Sequence, residues 1–131
     1  MDIITIIQTQ QNLIVGKPGD VAEIANAEKT LNVAFSKDYK EYLLTFGFAM
    51  FEGHELTGLC DGKRLDVIKI TNFEKNFAKN ISQDWYVVEQ TNIDGIVIWQ
   101  DKDGIVYQVN ANGSIDNTYP SLTEYIEKTK V

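Results

Sequence analysis

Three four-residue units, Asn92-Ile93-Asp94-Gly95, Asp101-Lys102-Asp103-Gly104 and Asn110-Ala111-Asn112-Gly113, follow one another at a spacing of nine residues. Asn or Asp at the first position and Gly at the fourth suit a type I turn whose glycine takes the left-handed conformation of a bulge, which closes a three-residue hairpin loop. Three such loops predict a four-stranded antiparallel meander. This turn type also sets register, pairing Asn92 with Ile96, Asp101 with Ile105 and Asn110 with Ser114. Because side chains alternate across a sheet, the odd-numbered positions Trp85, Val87, Val97, Trp99, Ile105, Tyr107, Val109, Ile115 and Tyr119 then share one face, nearly all of them apolar. Two-residue turns would set Trp99 opposite Gln108 and scatter this group over both faces. The odd face is therefore the expected core face.

The even face is mixed. Tyr86, Val88, Ile96, Ile98 and Val106 stand beside Gln90, Gln100, Gln108, Asn110 and Asp116. Either the isoleucine-rich N-terminus covers its apolar part, or that part is open and binds something.

The upstream half reads as helical. Ile24, Ala27, Leu31 and Phe35 recur at helical spacing, as do Tyr39, Tyr42, Leu43 and Phe46, so two helices each present one apolar stripe. Asp20 with Glu23 has the spacing of a capping box, Ser36 caps the second of these helices, and Gly47 stops it. Residues 2–14 predict an earlier helix, with Ile3, Ile6 and Ile7 on one side, before Gly16-Lys17-Pro18-Gly19 breaks the chain. A hairpin or pair of short strands around Gly53, a turn at Asp61-Gly62 and a mostly helical segment over residues 66–80 follow, in which Thr71-Asn72 could instead cap a separate helix beginning near Phe73. Ser121 and Glu124 announce a last short helix bearing Leu122, Tyr125 and Ile126. The expectation is one domain over residues 1–131, of α+β class: N-terminal helices packed on an antiparallel β-meander, with a short C-terminal helix.

Composition narrows the function. No apolar run is long enough to span a bilayer, and MDIITIIQTQ lacks both the basic stretch and the cleavage site of a signal peptide, so a cytoplasmic protein is expected. The net charge of -7 is unevenly spread. Residues 1–79 hold 11 acids and 9 bases, whereas residues 80–127 hold 8 acids and Lys102 alone. Such a surface repels nucleic acid and anionic membranes and speeds encounter with a basic protein.

Catalytic groups are scarce. His54 and Cys60 are each the sole representative of their type, which rules out a multi-histidine or thiolate metal site and an internal disulfide. Cys60 reads as a packed residue. His54, in Glu52-Gly53-His54-Glu55, reads as an exposed strand or turn residue whose neighbouring carboxylates could raise its pKa. Asp101-Lys102-Asp103-Gly104 lacks the further acidic ligands of a calcium loop and reads as a turn. No glycine-rich phosphate loop is present. No enzyme, cofactor or metal is expected.

Residues 20–59 resemble the SUKH superfamily, which groups relatives of the fungal cell-wall-synthesis regulator with many bacterial immunity proteins. The resemblance rests on Ile24, Glu28, Leu31, Phe35-Ser36, Asp38-Tyr39, Tyr42-Leu43, Gly47 and Leu56-Thr57-Gly58-Leu59. Ser36 stands where the family has proline, and Phe48 where it has a second glycine. The resemblance implies a non-catalytic binding protein, and for a bacterial relative an immunity protein that neutralises a cognate polymorphic toxin, often a nuclease. The expected partner is then a basic toxin domain, and the expected contact is the even face of the meander: Tyr86, Ile98, Gln100 and Gln108, with Asp84, Asp94, Asp103 and Asp116 steering. A regulatory or scaffolding module using the same surface is the alternative.

Overall fold

The computed structural model describes residues 1–61 and 64–130. The chain starts with helix α1 (Ile3–Gln8), capped by Asp2, whose carboxylate accepts from the Thr5 amide at 2.7 Å. Ile3, Ile6 and Ile7 are buried as expected. The helix stops well short of residue 14, because the polar run after Ile7 offers no apolar stripe to extend it. Asn12 turns left-handed (φ 59°), and Ile14–Val15 become strand β1.

Helix α2 (Val21–Leu31) begins with both halves of the capping box formed by Asp20 and Glu23. Helix α3 (Lys37–Phe46) is capped by Ser36 and ends at Gly47. Gly47 has φ +74°, and a Cβ there would lie 2.0 Å from the Lys17 carbonyl oxygen, so no other residue fits. Phe48, at the family's second glycine position, packs its ring over Gly16, where a Cβ would come within 2.2 Å of that ring.

Strands β2 (Ala49–Phe51) and β3 (His54–Leu56) form the expected hairpin. Of the turn expected at Asp61-Gly62, Gly62 lies outside the described residues. Helix α4 (Val67–Phe77) is a single helix. Thr71 is not a cap within it; its hydroxyl accepts from the Val87 amide at 3.1 Å. Strands β4 (Tyr86–Gln90), β5 (Val97–Gln100), β6 (Val106–Val109) and β7 (Ile115–Tyr119) form the meander, and helix α5 (Leu122–Lys128) closes the chain under a Ser121 cap. Among the described residues all seven strands join one antiparallel sheet in sequence order. The fold is α+β, as expected.

The register is as expected between β5 and β6, where Trp99 faces Tyr107, and at the start of the β6–β7 hairpin, where Val109 faces Ile115. It departs at two bulges. The loop after β4 holds Asn92, Asp94 and Gly95 all at positive φ, longer than a three-residue loop, and pairs Gln90 with Val97. A bulge between Val87 and Glu89 then puts Glu89 opposite Ile98, on the even face. A second irregularity beside Val109 sets Tyr119 opposite Val106, again on the even face. One extra residue reverses every side chain beyond it.

The principal core lies on the even face, which corrects the expectation that the odd face carries it. Helices α1, α2, α3 and α5 bury Tyr86, Val88, Ile98, Val106 and Tyr119. Val87, Trp99 and Val109 on the odd face pack with Cys60, Leu65 and Ile70 in a second, smaller cluster. Cys60 is buried, as a packed residue should be. No helix among the described residues is long and apolar enough to cross a membrane.

Candidate partner-binding face

Three of the residues expected to contact a partner are inside the protein. Tyr86, Ile98 and Gln100 are 0%, 1% and 0% exposed, so as partner contacts they are corrected. Their polar atoms are spoken for. The Tyr86 hydroxyl donates to Gln100 Oε1 at 2.7 Å and accepts from the Ser36 amide at 2.9 Å. Gln100 Nε2 donates to Asp38 Oδ1 at 3.1 Å and to the Gly104 carbonyl at 3.0 Å, while Asp38 Oδ2 accepts from the Leu122 amide at 3.0 Å. Gln100 thus ties the meander to the starts of α3 and α5, and burial raises the Tyr86 pKa. Gln108 is half-buried on the same covered face. Asp84, Asp94, Asp103 and Asp116 are exposed.

His54 is likewise not the exposed residue expected. It is 6% exposed, and its Nδ1 lies 2.8 Å from Glu89 Oε1, the carboxylate that the bulge carried to this face. Glu89 also accepts from the Tyr125 hydroxyl at 2.5 Å and the Glu55 amide at 2.7 Å. Thr129 Oγ1 sits 3.0 Å from His54 Nε2, which gives the outline of a hydroxyl, imidazole and carboxylate relay. The donor count argues otherwise. Thr129 donates its only proton to the Tyr125 carbonyl at 2.5 Å and has none left to give the imidazole. A hydroxyl whose proton is held by a carbonyl is not the activated nucleophile such a relay needs. What the cluster does is clamp α5 to the hairpin and to β4. Beside it lies a cleft of about 280 Å³ that includes Ile93, Ile96 and Gln108 in its lining. Among the described residues no group of three or more His, Cys, Asp or Glu is placed to hold a metal ion.

The surface that remains open is the odd face beyond the reach of α4. Trp85 stacks on Tyr107 with ring centroids 4.0 Å apart and planes 12° from parallel, both rings partly exposed. Val97 is partly exposed, and Ile105 and Ile115 are exposed. Carboxylates stand around these side chains. Asp101 Oδ2 accepts from the Tyr107 hydroxyl at 2.8 Å, and its Oδ1 holds the turn by accepting from the amides of Asp103 and Ile105. Partial burial, the Asp101 hydrogen bond and the charges of Asp101 and Asp103 together push the Tyr107 pKa up to about 12. Asp84 precedes Trp85, and Asp116 accepts from the Asn110 side chain at 2.9 Å. The side chains placed here as core were missed as surface because both faces of the meander are apolar, and sequence alternation alone does not say which face the larger helical layer takes.

The odd face thus presents partly exposed aromatic and exposed aliphatic side chains with carboxylates beside them, and among the described residues every buried side-chain polar atom has a hydrogen-bond partner. The chain belongs to the SUKH superfamily: a family model described as SMI1-KNR4 cell-wall matches residues 2–130. A crystal structure of a protein from Pseudomonas syringae pv. tomato has the same fold, with a TM-score of 0.79 over 95% of this chain and 93% of that one at 13% identity. No curated protein matches the sequence.

Proposed function

We propose that this protein is an immunity protein that binds a cognate toxin, a basic nuclease domain, and neutralises it by occlusion without a catalytic step of its own. The observation that carries the reading is the open odd face: Trp85, Tyr107, Ile105 and Ile115 at its centre, with Asp101 and Asp103 beside Tyr107 and Asp116 next to Ile115. Aromatic anchors within a polar rim are the usual anatomy of a protein interface. Carboxylates on that rim favour a cationic partner and accelerate its approach. A nuclease must carry cations to hold its phosphate substrate, so an acidic face that covers them competes directly with nucleic acid. Superfamily membership supports the same reading, since the resemblance implies it for bacterial members.

The test is co-expression with a candidate toxin encoded near the gene, paired with co-purification at low and high salt. Survival of the cells and a salt-sensitive complex are expected. Cell death despite the protein, with no complex at low salt, overturns the reading, and a stable complex with a chromosomally encoded regulator instead would make it a scaffolding module.

A further inference from the structure

Among the described residues the open face holds a depression. Where α4 ends, Phe77, Ala78 and Ile81 stand opposite Gly95 and residues 110–113, enclosing a cleft of about 350 Å³ whose floor is Val97, Trp99 and Val109. That is the lower end of the volumes that take a bound organic group. The apolar wall continues outward, because Phe77 is 67% exposed and packs on the exposed Phe73 at 5.0 Å between ring centroids. The cleft is preformed. Its far wall is a turn in which Asn110 Oδ1 accepts from the amides of Asn112 and Ser114, and Gly113 lies so close to Lys79 that a Cβ would sit 2.7 Å from the Lys79 carbonyl.

Two of the polar side chains at the mouth are already engaged. Asn110 Nδ2 is given to Asp116, and Glu74 accepts from Gln90 at 2.7 Å. They are not free to orient a polar small molecule, so the floor selects apolar shape. The lining itself sets Glu74 against Lys79, and the surroundings add negative charge, from Asp94 next in sequence to the lining Gly95 and from Asp116 hydrogen-bonded to the lining Asn110. A second copy of the chain would bring the same carboxylates against these and be repelled.

We infer that this cleft receives one bulky apolar side chain of the protein partner, carried on a segment with arginine or lysine on either side of it. The inference rests on the binding reading above and names the anchor of that interface. Such a buried side chain at the centre of a contact dominates its energy, while flanking cations take up the rim.

The test uses three twelve-residue peptides: one with a single Phe between pairs of Arg, one with Ala for the Phe, and one with Glu for the Arg. Tryptophan emission reports directly, because Trp99 is the floor and Trp85 lies on the same face. The Phe and Arg peptide is expected to bind at least about tenfold more tightly than either counterpart. Ala111→Phe, which fills the cleft from its exposed turn, and Phe77→Ser, which removes a wall, are each expected to abolish that preference with the circular dichroism spectrum unchanged. Equal binding of the three peptides, or an unaltered preference in both variants, overturns the inference. Wild-type protein that protects cells alongside an Ala111→Phe variant that protects equally well also overturns it and leaves immunity standing. Failure of the wild-type protein to protect removes the immunity reading, and the peptide series still decides the cleft.

Discussion

Replacing Glu89 by Ala is the perturbation with the largest consequence that the buried network allows. The carboxylate accepts from the His54 ring, the Tyr125 hydroxyl and the Glu55 amide, at 2.8, 2.5 and 2.7 Å. Truncation strands all three, and two of them are sealed from water, His54 and Tyr125 being 6% and 3% exposed. A stranded buried donor costs about 1–3 kcal/mol. Two sealed donors give an expected loss of about 4 kcal/mol, a large part of the roughly 5–15 kcal/mol that holds a domain together. For a chain of this size that lowers the melting temperature by roughly 10–20 °C. The assay is urea unfolding followed by tryptophan fluorescence, read as the midpoint at constant slope. Glu89→Gln keeps the shape and one acceptor oxygen, and should lose less than half as much. Hydrogen exchange should speed first in α5, the element whose Tyr125 and Thr129 the cluster holds. A loss below about 1 kcal/mol for Glu89→Ala would refute the reasoning, since it would mean that water already reaches these donors.

Three other outcomes follow from the same structure. Burial raises the pKa of Tyr39, Tyr42, Tyr86 and Tyr125, and burial with Asp101 raises Tyr107 to about 12. Groups that hold their protons more tightly when folded stabilise the native state fully below their unfolded value near 10, and that contribution drains as pH rises toward the folded values. Stability should therefore fall above pH 10, and absorbance at 295 nm should show these five tyrosines protonated at pH 11 for as long as the protein is folded; ionisation of more than one of the six tyrosines near pH 10 in folded protein would contradict this. Thr129→Val, which removes the hydroxyl that links the His54 ring to the Tyr125 carbonyl, should cost about 1–2 kcal/mol in urea unfolding; unchanged stability would mean that this link does not hold α5. Reversing Asp94, Asp103 and Asp116 to Lys together should slow toxin association about tenfold at low salt and flatten its salt dependence, and an unchanged on-rate would reduce the acidic rim to a solvated surface.

Local signals in the sequence carried most of the fold. The capping pair Asp20 and Glu23, the Ser36 cap, the Gly47 stop and the turns at Asp101 and Asn110 act through neighbours three or four residues away, so spacing alone displays them. The two bulges are different, because they arise from how β4 and β7 settle under helices distant in sequence. They moved Glu89 and Tyr119 to the covered face, and with them the partners of His54 and Tyr125. Gln100 misled for a related reason. A glutamine among alternating apolar residues reads as solvent-facing, whereas Asp38, sixty-two positions away, gives it a buried partner. The acidic half of the candidate site was visible as composition. Its apolar half was assigned to the core, since Trp85, Tyr107 and Ile115 have the same pattern whether a helix covers them or a partner does.

The most direct test is hydrogen exchange on the complex with the toxin. Protection is expected in β5, β6 and β7 and at the turns around Gly95 and Gly113, with the Trp85 side chain shielded and the outer surfaces of α1 and α2 exchanging as in the free protein. Protection confined to α1, α2 and the β1 edge, with β6 and β7 unchanged, would place the partner on the opposite side and contradict the assignment of the open sheet face.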